Sequence, residues 1–469
     1  MHAALPGSLR EDRRSRVGGR ILVLGGAFSR AKIPVCTTPI ALRARASRPR
    51  SGPLLQSPRD DLQPRPHAGF YLYNSLTHEL EPFESIEPDV ARMYVCGVTP
   101  YDVGHLGHAL VYVAQDTLRR WLEFNAYEVH HVQNITDIDD DMVRKSKELG
   151  VTIAELTEQN HRIYLEEMDA LSVQRPEQFP RVSGNIPEIV AMVAELVANG
   201  QAYEVDGYVF FDRSHTPWFG RLSGRTQEEL RTGSRTDTMP DEPDHLKRDA
   251  LDFLLWQPSS DEGATFDSPW GPGRPGWHIE CSSMARTTLG DQIDIHGGGR
   301  DLAFPHHDSE IVQTECVTGE SPSVRYWVHN GTMGLGGVKM SKSLGNLVKV
   351  SELLNAGHTP DAIRLLLLAT HYRSDRDFSE EALVAEEENA ALLRRAAERA
   401  GDGPDALRAE PFRNAFMDAM DNDLDTPGAI RVLLQLAGEM ESGQVAGGTS
   451  VAALVELAGV LGLTLGRGG

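Results

Sequence analysis

Apolar positions along this chain change rhythm several times, and the changes mark out its elements. Arg92-Met93-Tyr94-Val95-Cys96 has the composition of a buried strand. Gly97 to Gly104 is rich in Gly, Pro and Asp and reads as a turn, after which Leu110 to Phe124 repeats its apolar residues at helical spacing. A second strand is predicted over Glu128 to Val132, running into the acidic and hydroxyl-bearing stretch Asn134 to Asp140. Helices are predicted over Ile153 to Leu171 and Ile186 to Asn199, the latter stopped by Gly200. A polar segment interrupted by Pro and Gly, Phe211 to Asp249, breaks the pattern, and strands resume at Asp252 to Trp256 and Trp277 to Cys281. The remainder is helical: Ala362 to Thr370, Glu380 to Ala400, Phe412 to Met420, Pro427 to Met440 and Val451 to Leu461. No internal repeat is visible. The order predicts an α/β fold, with a Rossmann-like domain over 69–350, an insertion around 150–250, and an α-helical bundle over 351–469.

The first 68 residues do not share this regularity. Positions 1–66 hold twelve Arg and one Lys against four acids, a net charge of +9, which leaves −31 on the rest of a chain whose formal charge is −22. Three readings of this arm stay open: a disordered basic segment, an organellar transit peptide, or leader sequence translated from an upstream start. The acidic remainder does not advertise a nucleic-acid binder, although a local basic groove can sit on an acidic body.

With 469 residues, 40% of them hydrophobic and 24% charged, the chain has room for two or three domains and a large core. No apolar run approaches the roughly 18 residues of a membrane span, so no membrane segment is predicted. The four cysteines, Cys36, Cys96, Cys281 and Cys316, are too scattered for a short disulfide framework. A reducing cytoplasm fits them, with thiols free to bind metal.

Two motifs and a scattered set of ligand types carry the chemistry. His105-Leu106-Gly107-His108 falls where a strand passes through a loop into a helix, and helix N-termini are natural phosphate sites. Far behind it lies the Gly-flanked loop Gly337-Val338-Lys339-Met340-Ser341-Lys342-Ser343, whose two lysines are suited to an anionic leaving group. A satisfied histidine pair and a solvated lysine turn are the plainer alternatives for either motif alone. His306 and Glu310 are four residues apart just after Pro305, a favoured helix start, so both can lie on one face. Cys96 and Cys281 end two strand-like segments and could converge on that pair. Two thiolates, an imidazole and a carboxylate suit zinc, whereas two core cysteines beside a surface His/Glu pair would be the bland reading.

With these motifs in this order, the segment from about Phe70 to Leu465 resembles the cysteine-activating class I ligases, a family containing cysteinyl-tRNA synthetases and the cysteine ligases of mycothiol biosynthesis. The resemblance implies a class I catalytic domain that uses ATP with Mg²⁺ to make an acyl-adenylate. It places His105, Gly107 and His108 at the ATP phosphates, and Lys339 and Lys342 over the leaving pyrophosphate, with the larger role for Lys342. It implies one Zn²⁺ per subunit on Cys96, Cys281, His306 and Glu310, with the substrate thiolate as an added ligand. A soft ion then favours cysteine over serine without an editing site. Thr136 and Trp277 resemble the family's pocket for the cysteine amino and carboxylate groups. The run His296-Gly297-Gly298-Gly299-Arg300-Asp301 could let backbone approach adenosine, and His307 and His329 receive no specific chemistry. Cys36 and Cys316 match no metal position.

The acceptor of the activated cysteine divides the family. The chain stops at Gly469 shortly after its last helix, which reads as a short form without a C-terminal anticodon-binding domain, as in the mycothiol-pathway ligases. Glu310, the stretch Asn134 to Asp140 and Leu344 after the lysine motif resemble the synthetases instead. The expectation is a monomeric cysteine–tRNA ligase that charges tRNA(Cys) through its acceptor stem. A ligase joining cysteine to glucosaminyl-inositol is the alternative, and a non-catalytic sensor is opposed by the intact motifs.

Overall fold

Four parallel strands build the sheet from which the candidate site projects. They are β1 (Val90–Val98), β2 (Glu128–Ile135), β3 (Ile293–Gly299) and β4 (Val324–Asn330), in the order β4-β3-β1-β2. The computed structural model describes residues 69–232, 243–340, 344–399, 408–442 and 448–466, all within one compact unit, Arg65–Gly469. The basic N-terminal arm with Cys36, and the Ser341-Lys342-Ser343 part of the lysine motif, lie outside the described residues.

The buried run in β1 is continuous because both faces of the sheet are covered, as parallel sheets require. Alternate side chains serve two cores. Met93 and Val95 join Leu110, Val113 and Leu118 of α1 (Leu106–Phe124). Tyr94 and Cys96 join Ile279, Cys281 and Met284 of α2 (Trp277–Leu289), together with Ile311 of α3 (Asp308–Thr318). Strand order reverses between β1 and β3, so the crevice at their carboxyl ends is where such sheets bind ligands.

Between β2 and β3 the chain forms the helices Ile153–Ala170 and Ile186–Ala198 and a separate antiparallel sheet of Ala202–Val205, Tyr208–Phe211, Phe253–Pro258 and Gly273–Pro275. Two sequence expectations are corrected here. The strand expected at Asp252 to Trp256 exists, but it pairs with Tyr208–Phe211 and not with the parallel sheet. Its Phe-Leu-Leu-Trp run satisfies any buried strand, and partner choice is a tertiary decision. Trp277 to Cys281 is the start of helix α2 and not a strand. Its five residues alternate apolar and polar, yet His278 through Ala285 are buried without a break, which erases the helical period from the sequence.

The C-terminal helices Pro360–Leu368, Glu380–Glu398, Glu410–Asp421, Thr426–Glu441 and Gly448–Val460 pack on one another and share their core with α1. Several starts are capped by side chains, Thr359, Ser379 and Asp425 each accepting from a backbone N–H of the first turn.

Candidate functional site

Four elements bring the predicted metal ligands together. Cys96 lies near the carboxyl end of β1, Cys281 one turn into α2, His306 in the wide turn Ala303–His307, and Glu310 in the first turn of α3. Their donor atoms all lie within 4.8 Å of one another. The Cys96 and Cys281 sulfurs are 3.8 Å apart, which is the edge of a tetrahedron with metal–sulfur bonds of about 2.3 Å. His306 Nε2 is 3.1 Å from Glu310 Oε1, so the four-residue spacing survives the irregular helix start. None of the four residues is more than 6% exposed, so water does not solvate them.

Burial drives three of these groups, Cys96, Glu310 and His306, toward their neutral forms. It raises the Cys96 thiol, helped by the neighbouring Cys281 and Glu310, raises the Glu310 carboxyl, and lowers the His306 imidazolium. A dication would reverse that balance, releasing the protons from the thiols and the carboxyl. The donor set therefore fits a soft divalent metal.

A second arrangement shares two of these ligands. Cys96, His296, His307 and Glu310 also converge, with His296 Nε2 and His307 Nε2 at 3.4 and 3.3 Å from the Cys96 sulfur. Outer partners orient the rings: His306 Nδ1 shares a 2.8 Å hydrogen bond with His278 Nδ1, and His307 Nδ1 one of 2.8 Å with His329 Nε2. The sequence reading assigned His278 no part and set His296 in an adenosine-facing turn. A lone histidine in sequence carries no direction, and only the register of Tyr94 against His296 in adjacent strands brings it here.

The phosphate-type motif sits at the start of α1. His105 is its N-cap, and His105 Nδ1 accepts from the Gly107 N–H at 3.0 Å. In the neutral ring the proton then resides on Nε2, which is a donor. The rings of His105 and His108 stack with centroids 4.0 Å apart. A Cβ at Gly107 would meet the His105 ring at 2.7 Å, so glycine is needed for the cap to close.

Lys339 lies close by on the short hairpin Met333–Leu335 and Val338–Lys339. Gly336 and Gly337 turn it with φ of +63° and +78°, the sign a two-residue type I′ turn requires. Its ammonium pairs with Asp301 Oδ2 at 2.8 Å, and buried Met340 anchors the strand to Met333. The Leu106 N–H donates to Val348 O at 2.8 Å, tying the histidine motif to the segment just beyond the lysine motif.

Thr136 follows β2, buried, its hydroxyl accepting from Asn134 Nδ2 at 3.1 Å. The Trp277 ring lies against that of His306, centroids 4.2 Å apart. The structure thus gathers Cys96, Cys281, His306, Glu310 and Trp277, and sets Thr136, His105, Gly107, His108 and Lys339 around the same carboxyl edge of the sheet.

Residues 82–388 match the model for the class I (C) tRNA synthetase catalytic domain, and residues 415–466 match the DALR domain. The cysteine–tRNA ligase of Dehalococcoides mccartyi is 42% identical over 401 residues, spanning 84% of this chain and 86% of that protein. The chain belongs to the cysteine–tRNA ligase family of class I synthetases. The cysteine–tRNA ligase of Alkalilimnicola ehrlichii is 45% identical over 401 residues, 84% of this chain and 85% of that one. Among solved structures, Mycobacterium tuberculosis methionyl-tRNA synthetase in complex with methionyl-adenylate superposes with a TM-score of 0.56 at 17% identity, covering 79% of this chain and 89% of that one. That likeness shows the class I fold.

Proposed function

We propose that this chain activates L-cysteine with ATP and transfers it to the 3′ end of tRNA(Cys). The observation that carries the reading is the buried set Cys96, Cys281, His306 and Glu310, placed on the same sheet edge as the His105-Leu106-Gly107-His108 helix start. In the first step the cysteine carboxylate attacks the α-phosphorus, the bond to the bridging oxygen breaks, and pyrophosphate leaves. In the second, a ribose hydroxyl of the terminal adenosine attacks the adenylate carbonyl and AMP leaves.

Positioning and charge neutralisation supply the catalysis. His105 donates from Nε2 toward the phosphates, with Gly107 keeping its cap closed and His108 stacked beside it. Lys339 exchanges Asp301 for the phosphate oxygens, and Lys342 is assigned to the pyrophosphate by family likeness. Cys96, Cys281, His306 and Glu310 would hold Zn²⁺, which when bound would supply a soft partner for the substrate sulfur that a serine hydroxyl cannot replace. Thr136 and Trp277 orient the amino-acid backbone. The reading includes Mg²⁺ with ATP, recognition through the tRNA acceptor stem, and a cytoplasmic monomer.

The test supplies the protein with ATP and labelled cysteine beside either tRNA or glucosaminyl-inositol. Label on tRNA supports the reading. An amide product with the amino sugar and no charged tRNA overturns it.

A further inference from the structure

Glu280 is 1% exposed, and its wholly buried Oε2 has no hydrogen-bond partner among the described residues. It lines an open cleft together with Asp139, Asp140, Arg274, Gly276 and Trp277. A carboxylate taken out of water without a partner is costly, and the group is held toward its neutral form unless a positive charge arrives. No described residue supplies one. Arg274, the one Arg or Lys lining the cleft among the described residues, gives its terminal nitrogens to Asp140, Asp261 and Ser259. Asp139 already accepts from the Asp141 N–H through Oδ1, so Glu280 is the uncommitted acid.

We infer that Glu280 receives the α-ammonium of the amino-acid substrate, an inference that rests on the cysteine-activating reading above. The cleft and the metal-type cluster share a wall, since Trp277 lines the first and stacks on His306 of the second, and Glu280 directly precedes Cys281. An amino acid held at that cluster through its sulfur carries its ammonium three bonds away. A primary ammonium offers three N–H donors and a positive charge, which suits an acid-lined cleft with an indole in its wall. The Thr136 hydroxyl can orient such a group but cannot neutralise it. Glu280 is thereby the residue that demands an amino group, as the cysteine ligands demand the sulfur.

The test compares wild type with Glu280→Gln in cysteine-dependent ATP–pyrophosphate exchange, with cysteamine and 3-mercaptopropionate as inhibitors and bound metal measured in parallel. Glu280→Gln should raise the KM for cysteine and the Ki for cysteamine about 10- to 100-fold, the loss of a charge-assisted hydrogen bond. The Ki for 3-mercaptopropionate, which lacks the ammonium, and the metal content should stay within about threefold of wild type. An equal loss for all three thiols, or no change in any, overturns the inference. Glu280→Asp keeps the charge and should restore part of the preference for cysteine over 3-mercaptopropionate; a preference no better than that of Glu280→Gln overturns it too. Wild type without cysteine-dependent exchange removes the proposed function itself, whereas normal exchange by Glu280→Gln removes only the role of Glu280.

Discussion

Two knots of buried polar side chains lie on either side of the parallel sheet, and they differ in who satisfies them. In the knot on α1, Asp116 accepts from Arg364, from Arg120 Nε at 2.8 Å and from the Gln174 N–H at 2.8 Å. Burial pushes the Asp116 carboxyl up, but the two guanidiniums outweigh it and hold it below the usual carboxylate range. Arg364 also donates to the carbonyls of Leu171 and Leu461, tying α1 to the end of helix Ile153–Ala170 and to the C-terminal helices. Charge is balanced inside the protein. In the other knot, Cys96, Cys281, His306 and Glu310 have chiefly one another, and burial drives Cys96, His306 and Glu310 toward neutrality. A buried cluster closed by its own protein holds the fold, while one left short of positive charge marks where a cation or cationic substrate group belongs.

The strongest test of that contrast is Cys281→Ser. It should lose bound metal and cysteine-dependent pyrophosphate exchange together, to background; retained metal with normal exchange would remove Cys281 from the set. Arg364→Met should instead act on stability, costing about 3–5 kcal/mol by stranding Asp116. Urea unfolding would show it, and metal bound per folded molecule should not change. A cost under about 1 kcal/mol would mean the knot is not closed as described.

His131 tests the middle ground, being buried with neither ring nitrogen hydrogen-bonded. Burial, with Arg119 adding to it and Asp116 opposing, lowers it from 6.5 to about 3. The unfolded chain therefore binds a proton more readily, so stability is complete above about pH 6.5 and is lost as pH falls toward 3. His131→Leu should remove up to about 2 kcal/mol of acid sensitivity between pH 7 and pH 5, read as a flatter stability profile; an unchanged slope would contradict it. The smallest effect is expected at Lys339, whose half-exposed pair with Asp301 is worth under about 1 kcal/mol to folding. Lys339→Ala should leave stability nearly unchanged and slow adenylate formation about tenfold, or about 1.4 kcal/mol. An unaltered single-turnover rate would release Lys339 from the phosphate role.

Where local pattern sufficed, the sequence reading was close. The helices expected at Ile153 to Leu171 and Ile186 to Asn199 occur at Ile153–Ala170 and Ile186–Ala198, because amphipathic period and stop signals are properties of neighbouring residues. The metal-type ligands were legible for a different reason: the His306/Glu310 spacing states a shared face, and the family resemblance joined Cys96 and Cys281 to it. Where burial was complete, pattern failed. Trp277 to Cys281 alternates like a strand and is helical, and Asp252 to Trp256 chose a partner outside the parallel sheet.

The sequence by itself determined the α/β-then-helical order, the two phosphate-type motifs and the shared face of His306 and Glu310, since these rest on composition, period and short-range spacing, while Cys96 and Cys281 were joined to that pair by family resemblance. Only the tertiary structure decided that His296 and His307 converge on the same sulfur, that Asp116 is neutralised from the C-terminal helices, and that Glu280 Oε2 is left without a partner among the described residues. Those outcomes depend on strand order and on which distant side chains meet in a desolvated space. No local pattern encodes whether a buried charge finds its counter-charge.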